Sequence, residues 1–344
     1  MNSNFSLGGI LRRPEAGAFL GLLAVLIFFG IFGGLRFLEI AGMSSWLNVA
    51  ASLGIIAIPV GLLMIAGELD ISVGAMVPAG AMMTAVIGGH YDLPIWLGIV
   101  ATLAFGLVVG LVNGLMVVRT AVPSLIITLG TLFAVQGILL GLTVLVTKST
   151  SVALTTDGAA KSMFGDFISF SGIFPPGQLQ VVVLWWLLFT ACYIFFVHYS
   201  KYGNWLFAIG GDKVSARNAG IPTERLTIVL FVLSAVSAAF VGMCQAILFN
   251  SAQVSGGQSF IFNAIIAVVV GGVLLTGGFG SVIGIFFGTI TFAIVNQGIY
   301  YTNFDRNWSS LIIGVLLLAA VLMNNTFRNM ALSYAPKKKG TLNP

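Results

Sequence analysis

The sequence predicts an all-α polytopic membrane protein of about ten transmembrane helices, and three observations predict it. The chain of 344 residues is 58% hydrophobic and only 7% charged, with a mean hydropathy of +1.06, where a soluble domain carries roughly 25% charged residues. Charge-free runs such as Ile40–Gly67, Ile71–Tyr91, Leu93–Val118 and Thr120–Thr147 each exceed the roughly 18 apolar residues that span a bilayer. The 43 glycines suit helices that approach backbone to backbone in lipid. A transmembrane β-barrel would instead show short alternating segments, and the chain lacks that pattern.

Taken in order, residues 1–15 form a polar lead with Arg12, Arg13 and Glu15. It has no cleavable-leader pattern, so the first apolar stretch is expected to remain as a helix. Spans are expected at 16–38, 46–66, 71–89, 94–118, 123–147, 179–199, 227–249, 258–276, 279–300 and 309–326. They make one membrane domain over 16–326, followed by a basic tail at 327–344. Counting basic residues orients it. With the N-terminus inside, eleven lie inside (Arg12, Arg13, Arg119, Lys201, Lys213, Arg217, Arg225, Arg328 and Lys337 to Lys339) and four outside (Arg36, Lys148, Lys161 and Arg306). The positive-inside rule then places both termini and the 200–226 loop on the cytoplasmic side of the membrane. The polar 148–178 segment, with its Lys148-Ser-Thr-Ser start and Pro175-Pro176-Gly177, reads as an irregular external loop.

An internal echo appears at a shift of 210. Leu53–Gly67 lies over Asn263–Gly277 with six of fifteen positions identical, and Gly74 then falls over Gly284. Transporters are often built from such repeats. The span count gives both copies one orientation.

Composition also excludes functions. The positive charges are scattered over loop ends and the tail, which is no nucleic-acid footprint. Cys192 and Cys244 sit in apolar runs and are expected to be buried thiols. The two histidines, His90 and His198, fall at span ends; His90 beside Asp92 reads as an interfacial pair, not a metal site. A phosphate loop of glycines followed by Lys-Ser/Thr is missing, so the chain is not expected to bind ATP in that manner; with the histidines far apart in sequence, no catalytic residue, metal or cofactor is expected.

Charges inside the embedded part are a sharper signal, because they are costly in lipid. Glu68 and Asp70 stand in Ala66-Gly-Glu-Leu-Asp-Ile-Ser-Val-Gly74. Either they are solvated at a span end, or Glu68, Asp70 and Ser72 mark a broken helix lining a path. Ser124, Thr128 and Thr131 recur at helical spacing in the fifth span, and Asn263, Asn296 and Gln297 add amides. Each can act as helix glue; together they suit a polar passage without strong charge selection.

The charge-dense loop holds Phe207-Ala-Ile-Gly-Gly-Asp-Lys-Val-Ser-Ala-Arg-Asn-Ala-Gly220, after which no charge follows Arg225 until Asp305. Asp212 is placed to cap a short helix, Gly220 to end it and Pro222 to prevent its continuation, while Ala216 and Ala219 permit close seating.

Four segments in order resemble the permease subunits of bacterial ATP-binding-cassette sugar importers of the ribose, xylose and fructose group. They are Gly67-Glu-Leu-Asp-Ile-Ser-Val-Gly74, Val122-Pro-Ser-Leu-Ile-Ile-Thr-Leu-Gly130, Ala208–Ile221 and Gly271-Gly-Val-Leu-Leu-Thr-Gly-Gly-Phe-Gly-Ser-Val-Ile-Gly284. The resemblance implies that Gly210, Gly211, Asp212, Lys213, Ser215, Ala216, Arg217, Ala219 and Gly220 belong to a cytoplasmic coupling helix docking on a separate ATPase subunit. Val214–Gly220 would be a degenerate Glu-Ala-Ala-x-x-x-Gly signature. The implied partners are that ATPase, a periplasmic sugar-binding protein, a second permease protomer and a small sugar. Glu68 departs from the commoner Gly-Gly-Ile-Asp-Leu-Ser form, and Ile261 and Asn263 stand where relatives often carry Glu and Asp. The competing readings are a related permease for a polyol or branched-chain amino acid and a proton-coupled transporter using Glu68 and Asp70. An intramembrane enzyme ranks last, since paired catalytic groups are lacking.

Overall fold

The computed structural model describes residues 14–156, 158–168, 179–302 and scattered positions between 305 and 322. Its helices are α1 (Pro14–Phe32), α2 (Gly34–Leu38), α3 (Ile40–Ile65), α4 (Val73–Ala85, prolonged by a π-turn at Val86–His90), α5 (Ile95–Arg119) and α6 (Ser124–Thr147). There follow α7 (Gly158–Phe164), α8 (Val182–Tyr199), α9 (Lys201–Gly211), α10 (Lys213–Asn218), α11 (Thr223–Phe249), α12 (Gln258–Val270) and α13 (Val282–Gly298). Among the described residues eight helices are long and apolar enough to cross a bilayer, and the shorter α12 occupies the expected eighth span. The chain is an all-α polytopic membrane protein. The expected tenth span at 309–326 lies largely outside the described residues, as do residues 1–13, Pro175-Pro176-Gly177 and the tail at 327–344.

The non-helical addition is small. Strand β1 (Ser151–Ala153) pairs antiparallel with β4 (Ser251–Gln253), and β2 (Phe167–Ile168) with β3 (Leu179–Gln180). These connections leave backbone groups that no helix satisfies, and short ribbons pair them.

Helix α3 is the axis of the fold, with 18 of its 26 residues buried, and α8, α11, α12 and α13 pack around it. Helices α1, α5, α6 and α8 form the outer layer and expose apolar faces, for example Val108, Leu111 and Val112 on α5 and Leu129 and Phe133 on α6. That is the surface a bilayer requires. The two layers meet through small residues. Gly106, Gly110 and Gly114 recur every fourth residue of α5, and a Cβ on Gly110 would lie 2.5 Å from the Val232 Cα of α11. The helices therefore touch backbone to backbone, the close approach that small residues permit in lipid. Of the two cysteines expected to be buried, Cys244 in α11 is, whereas Cys192 is exposed. The reason is that α8 buries one face only, and composition cannot tell which side of an apolar helix faces lipid.

The internal echo has a structural counterpart. Helix α3 stops at Gly67, φ +83°, where Gly67 N–H donates to Met64 O and Glu68 N–H to Leu63 O. Helix α12 stops at Gly272, φ +89°, with Gly272 N–H on Val269 O and Val273 N–H on Val268 O. Both are Schellman ends, with glycine supplying the left-handed residue. A break follows in each copy, Ala66–Ser72 and the longer Gly271–Ser281, before α4 and α13 begin. The helix ends correspond at a shift of 205 and, because the second break is four residues longer, the following helices at 209, so the structure registers the copies there and not at the 210 read from the sequence. The copies run in the same direction, and their breaks touch: Gly278 N–H donates to Ile65 O at 2.8 Å.

Candidate functional site

The residues α10 carries are placed by their own local chemistry. Asp212 is the N-cap, its carboxylate accepting from Ser215 N–H at 2.7 Å. That backbone bond holds the Asp212 carboxyl below the usual carboxylate range. At the other end Gly220 takes φ +82°, with Gly220 N–H on Arg217 O and Ile221 N–H on Ala216 O. This is a third Schellman end. Only Ala216 of this helix is buried, at 4% exposure. Ala219, expected to seat closely as well, faces solvent, as do Gly211, Ser215 and Val214, the last 69% exposed. Arg217 meets Glu224 at 3.1 Å with both side chains largely exposed. A six-residue helix has one inward face, and Ala216 occupies it. The rest of its surface points away from the molecule.

Just before α10, the chain touches both breaks at once. A Cβ on Gly210 would overlap Ile65 O and lie 2.5 Å from Gly278 N. Gly277 lies close to both Gly210 O and the Gly67 backbone. Lys213 Nζ reaches Glu68 Oε1 at 2.6 Å, the lysine partly exposed and the glutamate largely covered. The sequence left open whether Glu68 was merely solvated, and it is the partner of the segment before α11.

The first break is pinned by side chains from neighbouring helices. Leu69 N–H donates to Ser124 Oγ at 3.1 Å and Ile71 N–H to Thr128 Oγ1 at 3.3 Å. Asp70, 1% exposed, accepts at Oδ1 from both Ser72 N–H (2.9 Å) and Ser72 Oγ (2.6 Å). Asn113 Nδ2 of α5 donates to Ser72 Oγ at 3.0 Å, and Thr131 Oγ1 of α6 donates to Asn113 Oδ1 at 2.6 Å. Asp70 Oδ2 and the Ser234 hydroxyl of α11 are both buried without a hydrogen-bond partner among the described residues. Six of the residues singled out as a polar path, Glu68, Asp70, Ser72, Ser124, Thr128 and Thr131, are thus one assembly around a broken helix.

Asn263, Asn296 and Gln297 belong elsewhere. Gln297 accepts from Ser45 Oγ at 3.1 Å and donates to Asn296 Oδ1 at 2.8 Å. Asn296 and Asn263 line a cavity of about 220 Å³ with Gln180, Gln245 and three phenylalanines. It lies at the ends of α11, α12 and α13 remote from the breaks. Sequence reading missed Asn113, Gln180, Gln245 and Ser234. A lone amide in a long apolar helix, which Asn113 and Gln245 both are, is the signal that would have found two of them.

Comparison with known proteins decides the family. Residues 42–321 match the family described as branched-chain amino acid transport system / permease component. The chain belongs to this permease family. It is 30% identical over 342 residues to the galactose/methyl galactoside import permease protein MglC of Escherichia coli (strain K12), covering 94% of this chain and 96% of that one. It is 27% identical over 323 residues to the fructose import permease protein FrcC of Rhizobium meliloti, covering 92% and 87%. To the ribose import permease protein RbsC of E. coli (strain K12) it is 27% identical over 309 residues, covering 88% and 92%. No solved structure matches this chain well enough to serve as a relative. A member of this permease family is a multi-pass transport component, not an enzyme.

Proposed function

We propose that this chain is the membrane-spanning subunit of an ATP-binding-cassette importer that moves a monosaccharide across the bacterial inner membrane, driven by a separate ATPase subunit. Its relatives named for galactose, fructose and ribose import align over most of both chains, which supports a sugar as cargo. The positive-inside count supports both termini and the 200–226 loop as cytoplasmic, with 148–178 on the side where a sugar-binding protein docks. A second permease protomer, identical or related, completes the path.

The observation that carries this reading is the build of α9–α10. A short capped helix presents an exposed face, while the residues beside it are wedged against both helix breaks. Force applied to that face reaches the first break through Lys213–Glu68, and both breaks through Gly210 against Ile65 and Gly278. Asp70, Ser72, Ser124, Thr128 and Thr131 hold the first break as a unit, so it moves as a gate at the cytoplasmic end of the path. Asn263, Asn296 and Gln297 line the outer part.

The test is uptake by proteoliposomes holding the permease, its ATPase and its binding protein. Accumulation of labelled D-galactose, D-ribose or D-fructose is expected to require ATP and to survive a protonophore. Accumulation that survives ATP depletion and collapses with the proton gradient would instead support Glu68 and Asp70 as proton carriers. ATP-driven accumulation of L-leucine but of no sugar would move the chain to the amino-acid branch of the family.

A further inference from the structure

We infer that the outer cavity is itself a low-affinity binding site for one neutral polyhydroxylated ring, a monosaccharide, with Gln245 and Asn263 as its principal hydrogen-bonding residues. The inference rests on the importer reading and adds where, within this chain, the cargo is held.

Three features of the cavity point the same way. The first is size and openness. At about 220 Å³ it holds roughly seven water volumes at about 30 Å³ each, the scale of a single sugar ring with its hydroxyls. A second hollow of about 280 Å³ adjoins it, sharing Gln245 and Phe249, and gives a ligand a route in or onward.

The second feature is unmet hydrogen-bonding capacity. The side-chain amides of Gln180, Gln245 and Asn263 have no hydrogen-bond partner among the described residues. Gln245 and Asn263 are only half-buried, and both line the cavity. Each amide offers two donors and an acceptor with two lone pairs, which matches the alternating donor and acceptor character of vicinal hydroxyls. The amides at the other end of the molecule, by contrast, are consumed by the protein, as Asn113 is by Ser72 and Thr131.

The third feature is the wall. Phe249, Phe260 and Phe292 supply aromatic faces, on which the C–H face of a sugar ring can lie while its rim reaches the amides. A pocket that is mostly apolar with a few convergent polar groups is the usual form of a small-molecule site. Among the described residues, no charged side chain lines either hollow. Lys161, at the same end of the molecule, is held by Ile247 O at 2.9 Å and Asn250 Oδ1 at 3.2 Å. A zwitterion would leave both of its charges unpaired there, and a neutral sugar leaves none.

The experiment uses the permease–ATPase complex in lipid nanodiscs without binding protein, titrated separately with D-galactose, D-ribose, D-fructose and L-leucine by saturation-transfer NMR. At least one sugar is expected to bind at millimolar concentration and L-leucine is not. Gln245→Leu and Asn263→Leu are each expected to weaken that sugar by about tenfold. Co-purification of the ATPase reports folding, and should either variant fail it, Gln180→Leu on β3 carries the same test. Unchanged sugar affinity in assembled variants would overturn the site. So would a wild-type complex that binds none of the sugars although the complete importer accumulates one. If the complete importer accumulates no sugar at all, the reading beneath the inference fails with it, and the uptake assay shows that separately.

Discussion

The two ends of this molecule use the same kinds of polar residue to opposite effect. At the α10 face, Ser72, Ser124, Thr128, Thr131, Asn113 and Asp70 Oδ1 are bonded to one another and to the backbone of the first break, while Asp70 Oδ2, Thr227 Oγ1 and Ser234 Oγ are buried without a partner among the described residues. At the far end, Gln180, Gln245 and Asn263 line an open, uncharged hollow with their amides unengaged by the described residues. A buried polar group left without a partner destabilises a fold by about 1–3 kcal/mol, so the first set is structural by necessity. The second set is water-accessible and free to bond a ligand. The lesson is that residue type in a span says little about role. Whether its bonds are already made says much.

Substitutions can break or sharpen this contrast. The largest effect is expected from Gly210→Val, whose side chain would overlap Ile65 O and displace Gly278 N. Overpacking of this kind destabilises by about 1–3 kcal/mol, and uptake should be lost. A Gly210→Val protein with wild-type melting and transport would show that the breaks are not wedged together. Next is Asp70→Ala, which strips Ser72 N–H and Oγ of their acceptor and should lower stability by about 1–3 kcal/mol in a thermal unfolding assay. Asp70→Asn, which keeps an acceptor oxygen, should lose less.

Reversal of the ion pair comes third. Glu68→Lys or Lys213→Glu alone should reduce sugar moved per ATP hydrolysed several-fold, and the double exchange should recover it. Stability should move by less than about 1 kcal/mol, since this lysine is partly exposed and such pairs are weak. Loss of coupling that the double exchange does not restore would sink the proposed link.

The Asp212 cap gives a pH prediction. Its carboxyl is held below the ordinary 3.8 by the Ser215 N–H, so the cap is fully present above that value and is lost as pH falls through the lowered one. ATPase association should therefore owe no pH dependence to Asp212 near neutrality. Asp212→Asn should retain it and Asp212→Ala weaken it in a pull-down. The smallest stability change belongs to Gln245→Leu and Asn263→Leu, within about 0.5 kcal/mol, because neither amide supports the fold. A large drop in melting temperature for either would erase the difference between the two ends.

Much of this was legible in the chain. Apolar runs marked nine of the helices, with edges off by up to six residues at the end of α1, the start of α3 and the end of α12, because lipid tolerates no other secondary structure built from one segment. Asp212, Gly220 and Pro222 announced the ends of α10, since capping and left-handed backbone depend on local residue type alone. Ala219 was less legible. Alanine fits a buried or an exposed face equally, and it proved exposed where Ala216 is buried. Cys192 failed for the same reason, apolar surroundings in sequence being compatible with a lipid-facing side chain.

By itself, then, the sequence determined the class, nine of the spans and the caps, which follow from local composition and spacing, while four ordered motifs carried the family resemblance. Only the tertiary structure decided which polar residues belong together. Lys213 and Glu68 are 145 positions apart, and Asn48 Oδ1 accepts from Gln180 N–H across 132. Periodicity carries no record of such pairings, because they are set by which helices the packing of small residues brings side by side.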